Sequence, residues 1–132
     1  MVIAFLRHIK GYGQNHYCGY VGVKDSSMLP RSFQGSTFED IESDPEYDYL
    51  DNSIRVHGGI TFDGVFPKET PIIPLTDIPE DWSTYHIYGF DLNHWDDNET
   101  SISTNFDYAK NETLSMKKQM EELIQSLKNK ES

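Results

Sequence analysis

From Asn111 to Asn129 the chain reads NETLSMKKQMEELIQSLKN, and Met116, Met120, Leu123, Ile124 and Leu127 recur in it at helical spacing. Lys117, Lys118, Glu121, Glu122, Gln125 and Lys128 fill the opposite face. The pattern predicts a terminal amphipathic helix over 111–129. Asn111 is placed to cap it, Glu112 suits its first turn, and Lys128 and Lys130 suit the negative end of the helix dipole. The apolar stripe requires burial, either on a sheet of the same chain or on a partner helix.

The residues before the helix read differently. Val2 to Leu6 and Tyr17 to Val23 are rich in β-branched and aromatic residues, with turn chemistry in Gly11-Tyr-Gly13-Gln-Asn15 between them, so two strands joined by a loop are expected. Lys24 to Tyr49 then loses periodicity and turns acidic, with Pro30, Pro45 and the run Glu39-Asp-Ile-Glu-Ser-Asp44. Inside this long excursion Ser36-Thr-Phe-Glu39 has capping-box spacing, which predicts one short helical turn capped by Ser36. Phe33, Phe38, Tyr47 and Tyr49 argue that the excursion packs in part.

Ile54 to Phe62 resumes a strand pattern, interrupted at Gly58-Gly59, where missing side chains predict a bulge or a close approach by another group. Pro67, Pro71, Pro74 and Pro79 imply a connection without regular structure. Trp82 to Asp91 reads as the last strand, with Tyr85, Ile87, Gly89 and Asp91 on one face and His86, Tyr88 and Phe90 on the other. The expected fold is therefore α+β, a mainly antiparallel sheet with long loops and a C-terminal amphipathic helix. One ligand-binding domain spans 1–132, with sheet and loops over 1–110 and the helix over 111–129.

At 132 residues one core is expected rather than two. The net charge of −11, from 22 acids against 11 Lys and Arg, argues against nucleic-acid polymers, whose binding needs cations to displace counterions. A small anion needs only a few local cations and backbone N–H groups, so it stays open. Cys18 is the only cysteine, which removes an intrachain disulfide and fits a reducing cytoplasm. The apolar Met1 to Leu6 is followed at once by Arg7, His8 and Lys10, so neither a signal-peptide core nor a membrane span is expected.

Catalytic signatures are sparse. Asp91-Leu-Asn-His94 with His57 offers imidazole and carboxylate ligands, but no His-Glu-x-x-His or paired-cysteine spacing supports a metal over hydrogen-bonded structural histidines. None of the five histidines opens a His-x-Ser/Thr element of a two-histidine phosphodiesterase. The strained Gly-x-Ser-x-Gly turn and the Gly-x-x-x-x-Gly-Lys-Ser/Thr loop are also missing. Cys18, inside an apolar strand, reads as a buried inert thiol. In Val56-His-Gly-Gly-Ile-Thr-Phe62 two glycines offer backbone N–H groups beside an imidazole, which suits a phosphate or ribose as well as it suits a plain bulge. Arg55 and Arg31 are the scarce cations that would neutralise an anion there.

Cys18-Gly-Tyr-Val-Gly-Val23, Val56-His-Gly-Gly-Ile-Thr-Phe62 and Tyr88-Gly-Phe-Asp-Leu-Asn-His94, in that order, resemble a group of small phage proteins, the Thoeris anti-defence sponges. Members of that family capture cyclic ADP-ribose signals made by bacterial TIR-domain immune proteins. The resemblance implies an antiparallel sheet with helices, homodimers or hexamers in the host bacterial cytoplasm, and release of the ligand unchanged. It implies no catalytic residue, metal or cofactor, and some relatives hold cyclic oligonucleotides at a second site. Beside the matching blocks, the expected ligand contacts are Arg55, His57, Gly58, Gly59, Phe62, Asp91 and His94. Met28 and Arg31 are expected as a lid, and Lys24 at a second anionic site. The acidic insert from Glu39 to Asp51 departs from the pattern at that lid. Two other readings compete: a nucleotide-cleaving phosphodiesterase using His57, His94 and Asp91, and an acidic protein decoy of a host factor.

Overall fold

The first two strands, β1 (Val2–Gly11) and β2 (Gln14–Val23), form one long hairpin in the computed structural model, which describes residues 2–93 and 101–131. Gly11 pairs with Gln14, leaving Tyr12 and Gly13 as a two-residue turn with φ of 52° and 80°. Positive φ at both positions matches the right-handed twist of the flanking strands. The strands therefore run past the expected 2–6 and 17–23, because so tight a turn keeps the polar residues around it in register.

Three short strands complete an antiparallel sheet of order β3-β5-β2-β1-β4: β3 (Phe62–Gly64), β4 (Ile73–Pro74) and β5 (His86–Asp91). Three expectations are corrected here. The proline-rich connection holds β4, with Pro74 at the sheet edge, where a missing N–H costs no ladder bond. Most of Ile54 to Phe62 is loop: only Phe62 enters β3, while Ile54 and Ile60 are buried as loop residues. Trp82–Thr84 is a 3-10 turn, so the last strand starts at His86.

Alternation on β5 sorts the core as its sequence implies. Tyr88 and Phe90 join Leu6, Val21, Val23 and the helix residues Ala109, Met116 and Met120 on one face. Ile87 joins Ile3, Phe5, Cys18, Tyr20, Trp82 and Tyr85 on the other. Glycines let neighbouring strands share large side chains. The Phe90 ring lies over Gly19, and the Tyr20 ring over Gly89.

The terminal helix spans Phe106–Glu131, numbered α2 here after the short α1 (Phe38–Ser43). It begins five residues before the expected start because Asn105, not Asn111, caps it, its side chain accepting from the Tyr108 N–H at 2.9 Å. Ala109 and Thr113 extend the buried stripe by about two turns ahead of Met116. Thr113 is fully buried, which its hydroxyl tolerates by donating to the Ala109 carbonyl at 2.7 Å. The stripe packs on β1 and β2 of its own chain. Full burial of Met116 and Met120 contributes roughly 1.5–3 kcal/mol each, enough to hold the helix down. At α1 the cap is Thr37 rather than Ser36, with reciprocal Thr37 and Asp40 bonds, while the Ser36 hydroxyl turns to the Ser32 carbonyl. Among the described residues no helix is long and apolar enough to cross a membrane.

Candidate functional site

The glycine pair forms a turn outside the sheet. The Gly59 N–H donates to the Val56 carbonyl at 2.9 Å, and Gly58 and Gly59 have φ of 71° and 82°. A left-handed third residue is what a type II turn needs, and glycine adopts it without a Cβ clash. Both glycines are exposed, and a Cβ on Gly59 would meet nothing within 4 Å. The turn thus presents backbone to open space, where the expected strand bulge would have been covered by a neighbour.

Helix α2 braces this turn. His57 Nδ1 lies 2.8 Å from the Tyr108 hydroxyl, with the rings edge to face. Gln119 holds the Arg55 backbone at both ends, accepting from its N–H at 2.6 Å and donating to its carbonyl at 2.9 Å. Arg55, Gly58 and Gly59 are thus exposed and His57 half-buried, in one segment along the helix.

The remaining expected contacts are dispersed. Phe62 and Asp91 lie on the sheet face away from α2, because Phe62 pairs with Gly89 and Asp91 with Cys18. Phe62 stacks on Phe66 at 4.6 Å, and the Arg7 guanidinium lies 5.2 Å from the centre of the Phe66 ring. Arg7 pairs with Cys18 from the other side, so a cation, a thiol and a carboxylate form a row across three strands. Arg7 was not expected at any site; its spacing from Ile3 and Phe5 is the signal that places it on this face. Burial pushes the Cys18 thiol up to about 11. His94 lies outside the described residues.

Met28 and Lys24 meet at a cleft of about 390 Å³ between the turn after β2 and the C-terminal half of α2. Val2, Val23, Met28 and Ile124 form its apolar wall, and Lys24 and Lys128 stand with Asp25 and Glu121 around it. Lys24 also reaches Asp81 at 3.6 Å. Arg31 turns into its own loop instead, its guanidinium 4.5 Å from the Tyr47 ring centre and 3.7 Å from Asp40. The two residues expected as one lid thus face different surroundings.

A polar chain fastens the long loop to the sheet. Ser26 Oγ lies 2.9 Å from His86 Nδ1, and His86 Nε2 lies 2.5 Å from Asp63 Oδ1. The fully buried Ser32 donates to the other Asp63 oxygen and accepts from the Gly35 N–H at 2.9 Å. Burial alone would raise the Asp63 carboxyl, but hydrogen bonds from His86 and Ser32 outweigh it and hold the group below the usual carboxylate range. Burial, with Asp63 nearby, pushes the Tyr88 phenol up to about 12. Compared with protein-family models, characterised proteins and solved structures, the chain matches none.

Proposed function

We propose that this protein captures a small phosphorylated nucleotide of the cyclic ADP-ribose class and holds it unchanged, withdrawing an immune signal as a phage anti-defence sponge does. The observation that carries the reading is the exposed left-handed pair Gly58-Gly59, braced by α2 between Arg55 and Thr61. The Gly59 N–H closes the turn on Val56, the bend leaves backbone open on its outer side for an anionic oxygen, and the exposed Arg55 supplies a positive charge beside it. The bend is open on its outer side in a single chain, which supports a homodimer or larger homo-oligomer as the holding form.

Thermal unfolding with each cyclic ADP-ribose isomer tests the reading. At a ligand concentration 100 times Kd, native-state binding adds about 2.7 kcal/mol, which a melting curve resolves. Arg55→Ala should reduce that gain while leaving the backbone bonds to Gln119 in place, because it removes the exposed charge alone. Mass analysis of ligand freed by denaturation should return the intact compound. No stabilisation by any isomer, or recovery of a cleaved product, would refute capture.

A further inference from the structure

The strongest unassigned chemistry lies where β2, β5 and β3 run side by side. Ser26 sits on the turn just past β2, His86 opens β5, and Asp63 is central in β3. A carboxylate held ionised can only accept, so His86 Nε2 carries the proton toward Asp63. Its Nδ1 then presents a lone pair to the Ser26 hydroxyl at 2.9 Å, the arrangement of a serine paired with a base and a base oriented by a third group. Asp63 is itself steadied by Ser32, and its side chain is 11% exposed against 35% for His86. The orienting group is therefore dry while the base meets solvent. The same turn that carries Ser26 supplies Lys24, Asp25 and Met28 to the cleft against α2.

We propose that Ser26 is a nucleophile activated by His86 and oriented through Asp63, and that it takes a carboxylic ester whose acyl group rests on the apolar side of the adjoining cleft, which Asp25 and Met28 of the same turn line. The apolar wall of Val2, Val23, Met28 and Ile124 suits the acyl group, while Asp25 and Glu121 balance Lys24 and Lys128, so the alcohol portion need carry no charge. Ser26 Oγ attacks the ester carbonyl carbon as its proton passes to His86 Nδ1. The bond from that carbon to the alkoxy oxygen breaks, and His86 returns the proton to the leaving alcohol. Water then attacks the acyl-Ser26 carbonyl, gives a proton to His86, and displaces Ser26 Oγ, which takes the proton back. The net change is ester plus water to acid plus alcohol. This site is separate from the Gly58-Gly59 bend and does not rest on nucleotide capture.

A purely structural clasp would make the same hydrogen bonds but form no covalent adduct. The full chain is treated with an alkyl fluorophosphonate and followed by intact mass and peptide mapping. The expected result is one phosphonyl group on Ser26, with loss of fluoride, and none on Ser26→Ala. Asp63→Asn, which keeps the shape but offers an amide N–H to the imidazole, should slow labelling at least roughly 100-fold. No adduct on the wild type, or an adduct mapped elsewhere, overturns the proposal. If Ser26→Ala fails to fold by circular dichroism, the mapped position on the wild type decides alone. Stabilisation by cyclic ADP-ribose isomers should be indifferent to prior labelling, which separates failure of this site from failure of capture.

Discussion

Replacing Gly19 by alanine tests how the helix meets the sheet. The new Cβ would fall 2.1 Å from Thr113 Oγ1 and 2.5 Å from the Phe90 ring, where ordinary contact begins at 3.4 Å. Thr113 is fully buried and Phe90 is 1% exposed, so neither can swing into solvent. Relief requires α2 to retreat by about 1.3 Å, the gap between 3.4 and 2.1 Å, or the Phe90 ring to leave its rotamer. Overpacking of this kind costs about 1–3 kcal/mol, and two rigid neighbours put this position near the upper end. The melting temperature should fall by roughly 10 °C. Urea unfolding followed by tryptophan fluorescence and by far-ultraviolet circular dichroism measures it. Adding Thr113→Ala removes the nearer clash and should recover about 1 kcal/mol beyond additivity. A Gly19→Ala protein within about 0.5 kcal/mol of wild type would mean that α2 does not sit on β2 as described, and the bend it braces would lose its support.

Asp63→Asn should cost about 2 kcal/mol near neutral pH, the worth of charge-assisted bonds from His86 and Ser32. Because the folded carboxyl is held below its unfolded value, that contribution is present above about pH 4 and is lost as pH falls through the depressed native value. Unfolding curves of wild type and variant should therefore converge in acid and stay parallel from about pH 5 to pH 8; a gap that persists in acid would contradict the assignment. The thiol of Cys18, buried and pushed up to about 11, should react with an aromatic disulfide reagent only on unfolding, and reaction of the native protein at the unfolded rate would place it at the surface. Gln119→Ala removes both bonds to the Arg55 backbone and should cost about 1–2 kcal/mol, with faster amide exchange at Arg55; unchanged exchange would show that the segment is held by other contacts.

Local pattern was sufficient wherever a segment buries its own periodic face. The methionine and leucine spacing between 116 and 127 announced α2, and alternation from Tyr85 to Asp91 assigned both sheet faces, because helix and strand periods are properties of neighbouring residues. The helix start was misplaced because Asn105 and Asn111 suit a cap equally well in sequence, and only the bond from the Tyr108 N–H shows Asn105 in that place. The paired glycines were legible as a special backbone site, yet whether they bulged within a strand or turned outside one depended on which strand lay beside them. The serine site was invisible in the same way. No Gly-x-Ser-x-Gly turn marks Ser26, and His86 lies 60 residues beyond it. Only the order β3-β5-β2, set by burying one sheet between a helix and an aromatic layer, brings Ser26, His86 and Asp63 within hydrogen-bonding distance. Backbone pairing between strands remote in sequence is a tertiary outcome, and the chemistry that depends on it is decided there.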